Sequence, residues 1–205
     1  MTDQQCPFCN PADIGPLSER FIYGNDKFGI IATKGQITDG GYVLLIPSEH
    51  VPCFGAVKEE NAGDLFLLAE TAATVLSTEY DSPVTIFEHG IVGQTIKHAH
   101  IHLLPAALKL KRKILADFPK AEIYKMEALR NLAELYSENP KPYLLWTEED
   151  VPWICSDPPA PPQYLRIATA ELLGRPERAD WKKCDPILDR QLWLETAARL
   201  KPYFL

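Results

Sequence analysis

Gln94-Thr95-Ile96-Lys97-His98-Ala99-His100-Ile101-His102-Leu103-Leu104-Pro105 places three histidines at alternate positions of an otherwise largely apolar run. In a β-strand, residues i, i+2 and i+4 share one face at a spacing of about 6.5–7 Å. The run therefore predicts a strand from Lys97 to Leu104, stopped by Pro105. His98, His100 and His102 line one face, and Ala99, Ile101 and Leu103 pack into the other. A row of satisfied core or surface histidines is the bland alternative. A core does not need three titratable groups in a row, so the alternation favours chemistry.

Immediately upstream lies Gly90-Ile91-Val92-Gly93-Gln94-Thr95. Glycines let main-chain amides approach an anion closely, and Gln94 and Thr95 add side-chain donors. Taken alone this is as well read as an ordinary turn. Beside three imidazoles it becomes a phosphate cradle next to a nucleophile. An imidazole can attack phosphorus and form a phosphoramidate, which splits one difficult displacement into two easier ones. Near the N-terminus, Cys6-Pro7-Phe8-Cys9 sets two thiols at chelating distance, but a structural zinc needs four ligands. A redox pair is the competing reading, and no thioredoxin-like βαβ pattern follows it.

The histidine run resembles the signature of the histidine triad (HIT) superfamily of nucleotide hydrolases and transferases, most closely the fragile-histidine-triad branch. Asp39-Gly40-Gly41-Tyr42-Val43-Leu44-Leu45-Ile46-Pro47-Ser48-Glu49-His50 is similar to the family's strand ending in Pro-x-x-His. The resemblance covers roughly residues 6 to 105. It implies an α+β fold, a five-stranded antiparallel sheet with flanking helices, usually paired as a homodimer. It implies that His100 is the nucleophile taking the nucleotidyl group, with His102 orienting and Gln94 at the reacting phosphate. Gly93, Gln94 and Thr95 then form the phosphate loop. Where many relatives carry Asn, this chain has Glu88-His89, and Glu88 or His89 is expected to shape nucleotide selectivity, with a structural turn residue as the equal alternative. The family's zinc-binding members imply Cys6, Cys9, His50 and His98 as ligands of a structural zinc, leaving His100 and His102 for chemistry. The substrate expected is a dinucleoside polyphosphate or a nucleoside phosphoramidate. Transfer to phosphate or a sugar phosphate is the nearest alternative. A nucleotide-binding regulator and a zinc-stabilised interaction module are the non-enzyme alternatives.

Working outward, Phe21–Tyr23 and Phe28–Thr33 flank Gly24-Asn25-Asp26 as a hairpin, and Tyr42–Ile46 and Val84–Phe87 read as further strands. Leu65, Leu68, Ala72, Val75 and Leu76 recur at helical spacing, predicting an amphipathic helix from Lys58 to about Glu79. Phe118–Ser137 reads as a helix, and Tyr143–Trp146 with Val151–Cys155 as a short hairpin. Ser156-Asp157-Pro158-Pro159-Ala160-Pro161-Pro162 is a stiff connector. Helices are then expected from Gln163 to Leu173 and from Asp185 to Leu200, the second with an N-cap and a proline at its first position. This divides the chain into a HIT domain over residues 1–115 and a mainly helical extension, 116–205, packed on it. Gln163 and Arg166 open the first of those helices and are candidates to cover the cleft. The basic run Lys109, Lys111, Arg112 and Lys113 reads first as a solvated face, and Trp146, Trp153, Trp181 and Trp193 as core.

The chain has 205 residues, 21 basic against 28 acidic, for a net charge of −7. That balance disfavours a nucleic-acid or acidic-membrane partner. No apolar run is long enough for a transmembrane helix, and the first residues lack the pattern of a leader peptide. Five cysteines without a disulfide pattern suit a reducing, cytoplasmic setting, with Cys53, Cys155 and Cys184 as packing residues.

Overall fold

The structure is a computed structural model that describes residues 6–10 and 14–204. The leader reading of the first five residues lies outside the described residues. Eight strands form one antiparallel sheet in the order β1-β2-β3-β5-β4-β7-β8-β6. They are β1 Phe21–Gly24, β2 Phe28–Ala32, β3 Val43–Pro47, β4 Val84–Gly90, β5 Ile101–Pro105, β6 Glu122–Lys125, β7 Tyr143–Glu148 and β8 Val151–Ser156. The helices are α1 Glu59–Tyr80, α2 Leu110–Asp117, α3 Leu132–Glu138, α4 Tyr164–Leu172 and α5 Pro186–Leu200.

The five strands expected from the sequence are β1 to β5. The chain beyond residue 115 adds three more to the same sheet, because β7 pairs with the open edge of β4, Gly90 opposite Tyr143 and Phe87 opposite Trp146. The helix expected over Phe118–Ser137 is a correction. Its first part is the edge strand β6, paired with β8 from Glu122↔Ser156 to Lys125↔Trp153, and only Leu132–Glu138 is α-helical.

Side-chain parity divides the sheet into two faces. One carries Val43, Leu45, Ile101, Leu103, Ile86 and Leu145, which pack with Leu65, Ala69 and Leu76 of α1 and Trp193 and Ala197 of α5. α1 forms as the apolar spacing dictates and ends where Asp81 turns left-handed at φ 47°. α5 begins where the Asp185 carboxylate accepts from the main-chain N–H groups of Ile187 and Leu188.

The opposite face carries Leu44, His102, Phe87 and His89, with His102 directly between Leu44 and Phe87 in register. Two separate apolar clusters cover it. Cys6 and Phe8 pack on Ile31, Leu44 and Ile46 at one end. Tyr164, Leu165 and Ala168 of α4 pack on Phe87, Leu144 and Trp146 at the other. A cleft opens between them.

Candidate functional site

The cleft, about 140 Å³, is lined by Phe8, Thr33, Lys34, His89, Gly93, Gln94, Thr95, His100, His102, Gln163, Arg166 and Trp181, among others. Its floor is the end of the histidine run. Only His102 lies within a regular strand; His98 and His100 sit in the approach to β5, yet the alternation still brings His100 and His102 together, ring centroids 4.9 Å apart.

Each imidazole has its protons assigned by its neighbours. His100 Nδ1 lies 2.7 Å from the carbonyl oxygen of His98, which only accepts, so Nδ1 carries the hydrogen and Nε2 keeps its lone pair. Burial pushes His100 down to about 4, against the carbonyl bond, and the charges of His98 and Arg166 push the same way as burial. At neutral pH His100 is thus a neutral base and nucleophile. Tyr42 lies beside His102, its hydroxyl 2.6 Å from Nδ1. Burial pushes that phenol up to about 12, so it keeps its proton and donates it to Nδ1. His102 Nε2 therefore carries the ring N–H, buried and without a partner among the described residues. Burial, then the neighbouring positive groups, hold His102 well below the ordinary histidine range.

His89 also lines the cleft. Its Nε2 accepts from the Leu165 N–H at 2.9 Å, which joins α4 to the sheet. Gln94 donates from Nε2 to the Pro52 carbonyl at 2.8 Å, leaving its buried Oε1 and one amide hydrogen for a ligand. Gly93 has φ +72°, and a Cβ there would stand 2.7 Å from the Pro161 oxygen. The proline connector can lie this close to the loop only over a glycine. Gly93 O in turn accepts from the Gln163 N–H at 2.8 Å.

Glu88 is a correction to the expected nucleotide contacts. β4 runs on to Gly90, so Glu88 falls on the face opposite His89 and cannot reach the cleft. Its carboxylate instead accepts from Phe54 N–H at 2.8 Å and from the Tyr143 hydroxyl at 2.6 Å. The basic run is a solvated face on and beside α2: Lys109 pairs with Glu148 and Glu149, and Lys113 with Asp117 and Glu171. Trp146 and Trp193 are core, as expected, whereas Trp181 lines the cleft. Tyr42 was passed over in the sequence, although its parity with Leu44 on the same strand approach points it at His102. Thr33 and Lys34 left no signal, since they sit in a loop ordered by residues from far along the chain. The Asp189 carboxylate accepts from the N–H groups of Gly35 and Gln36 at 2.9 and 2.7 Å.

Cys6, Cys9, His50 and His98 gather next to the cleft, their ligand atoms all within 4.8 Å of one another. Cys6 Sγ and Cys9 Sγ each lie 3.4 Å from His98 Nδ1, and Cys9 Sγ lies 3.2 Å from His50 Nδ1. Tetrahedral coordination at ordinary Zn–S and Zn–N lengths sets ligand atoms about 3.5 Å apart, so the donor set fits a metal of that size. His98 Nε2 is 2.9 Å from the Pro47 carbonyl, which fixes the hydrogen there and turns the Nδ1 lone pair toward the thiols. Bound metal would hold Phe8 in place, and its ring lies 5.1 Å from that of His100.

Residues 17–108 match the HIT domain family model. The chain is 26% identical over 110 residues to the nitrilase and fragile histidine triad fusion protein NitFhit of Caenorhabditis elegans, covering 52% of this chain and 23% of that protein. It is 29% identical over 91 residues to a bis(5'-adenosyl)-triphosphatase of Dictyostelium discoideum, covering 43% of this chain and 60% of that one. It thus spans less than two thirds of either relative. A crystal structure of a HIT family member from Bacillus subtilis aligns at 19% identity and a TM-score of 0.45, over 66% of this chain and 96% of that one.

Proposed function

From a chain whose residues 17–108 form a HIT domain, we infer a nucleotide hydrolase or nucleotidyltransferase that works through a covalent nucleotidyl-His100. The observation that carries this reading is the tautomer of His100. Its Nδ1–H is bound to the His98 carbonyl, so a neutral Nε2 lone pair is left in a cleft beside a glycine loop.

In the first step Nε2 forms a bond to the α-phosphorus. The P–O bond to the leaving phosphate breaks, and its electron pair departs on that oxygen. His100 becomes a cationic N-phosphoimidazole, and the His98 carbonyl stabilises it by accepting from Nδ1–H. In the second step water adds to phosphorus, the N–P pair returns to Nε2, and the proton released goes to solvent. His102 Nε2–H is the donor for a phosphate oxygen in both steps. Thr95 and the free amide hydrogen of Gln94 are further donors. The cysteine–histidine cluster holds zinc as a structural cross-link, outside the bond-making steps.

The test is intact mass measurement of wild type and His100→Ala after brief incubation with a diadenosine polyphosphate or an adenosine phosphoramidate. An AMP-sized adduct on wild type alone, with AMP release lost by about 1,000-fold or more in the variant, is expected. Nucleotide binding without adduct or AMP release in either protein overturns the reading and leaves a nucleotide-binding regulator.

A further inference from the structure

Arg166 and Lys34 line the cleft, and neither pairs with a carboxylate among the described residues. Arg166 is only 4% exposed. Its guanidinium meets only neutral groups, Nη2 donating to Gly35 O at 2.9 Å and Arg178 O at 3.2 Å, Nε to Ala179 O at 3.3 Å, with the Tyr42 hydroxyl as a further neutral partner. One flat face lies over the Tyr42 ring, 5.4 Å from its centroid. The other arginines that follow the proline connector are paired: Arg175 and Arg178 with Asp39, Arg190 with Glu19, Arg199 with Glu79.

A buried cation held only by neutral dipoles is costly, and an anion that reaches it recovers strong charge-assisted hydrogen bonds. Lys34, on the loop whose Gly35 carbonyl binds Arg166, likewise makes no ion pair among the described residues and lines the same cleft. No Asp or Glu is among the lining residues. His102 Nε2, buried and unpartnered, is a further donor aimed into this space. A single α-phosphate in ester or amide linkage brings one negative charge. Two cations without a carboxylate partner fit more than one.

We propose that Arg166, assisted by Lys34, binds the phosphate that follows the reacting one. The substrate class is then a nucleotide whose α-phosphate is joined to at least one further phosphate, rather than a phosphoramidate with a neutral leaving group. The assignment rests on the nucleotidyl-histidine reading for its activity test, and it places a substrate contact some sixty residues beyond the matched HIT segment. Arginine is suited to it because its charge is permanent and it can give a phosphate oxygen a charge-assisted hydrogen bond while Nη2 stays on the Gly35 carbonyl.

The full-length protein, Arg166→Met and Arg166→Lys are to be compared on diadenosine triphosphate and on an adenosine phosphoramidate with an amine leaving group. In Arg166→Met, kcat/KM for the polyphosphate should fall by about 100-fold, at least ten times further than for the phosphoramidate, and Arg166→Lys should recover part of the difference. Inorganic tripolyphosphate should raise the Tm of wild type and leave that of Arg166→Met unmoved. Equal loss on both substrates, or a tripolyphosphate shift that survives the substitution, overturns the proposal. If wild type cleaves neither substrate, the catalytic reading fails by itself, and the tripolyphosphate shift alone then decides Arg166. Should Arg166→Met not fold, exposed Lys34→Met replaces it, with a selective loss of about tenfold on the polyphosphate expected; no selectivity overturns the proposal.

Discussion

Glu88 is a carboxyl group with no exposed surface and only neutral partners, the Phe54 N–H and the Tyr143 hydroxyl. Burial outweighs both hydrogen bonds and pushes it up to about 7. A raised carboxyl favours the folded state only while protonated, so its contribution is complete below the unfolded value near 4.5 and is lost as pH rises toward 7. Glu88→Gln keeps the shape and the acceptor without the charge. Its stability relative to wild type, read from urea unfolding, should therefore increase between pH 4.5 and 7 by on the order of 3 kcal/mol and then level off. A flat difference across that window refutes the assignment. His89, pushed down to about 3 chiefly by burial, works with the opposite slope: it supports the fold above about 6.5 and withdraws that support as pH falls. The two neighbours were read together from the sequence as nucleotide contacts. β4 runs three residues further than expected, to Gly90, and that continuation sends Glu88 and His89 to opposite faces.

At the scale of the elements, what was legible followed from local chemistry. The β7–β8 hairpin could be read because two apolar runs flank Glu148-Glu149-Asp150, and Glu149 and Asp150 make its turn at φ 52° and 60°. α4 ends before Gly174 at φ +69°, and α5 starts at a capped proline, so both helices were visible in the sequence. Phe118–Ser137 was misread because Ala, Glu, Lys and Leu favour a helix, while the unpaired edge of β8 gave Glu122–Lys125 a better set of partners. No local pattern could show that β7 would take the free edge of β4. That junction is tight: a Cβ on Gly90 would stand 2.2 Å from the Tyr143 ring. The same tyrosine donates to Glu88 and accepts from the Gly55 N–H, so moving its ring disturbs a buried network. Gly90→Ala should cost about 3 kcal/mol by urea unfolding, and Tyr143→Phe in the same background should add less than it costs alone, because the two changes share one ring. Full additivity of the pair counts against this account.

Across the whole molecule, four side chains from residues 6, 9, 50 and 98 meet beside the cleft, and three loops with them. Purified protein should contain about one zinc per chain by plasma emission spectroscopy. Chelation should lower Tm by about 5–10 °C, as for losing a tight ligand from a chain of this size. An unchanged Tm together with no metal removes the cross-link from the description. Of this half of the site, the spacing of Cys6 and Cys9 stood out in the sequence, and His50 and His98 came in only through the family resemblance. The other half was legible only in part: Gln163 and Arg166 stood out as candidates to cover the cleft, whereas Trp181 was read as core until the connector turned back over Gly93. The order of synthesis gives that arrangement a further meaning. The ribosome completes the three histidines about eighty residues before Trp181, and at ordinary elongation rates several seconds pass between them. During that interval β4 still awaits β7, and a strand destined for the middle of the sheet presents an open, apolar edge. The nascent chain is most exposed to mispairing in the seconds before Tyr143 emerges, and the cleft gains its roof only after Trp181 has followed.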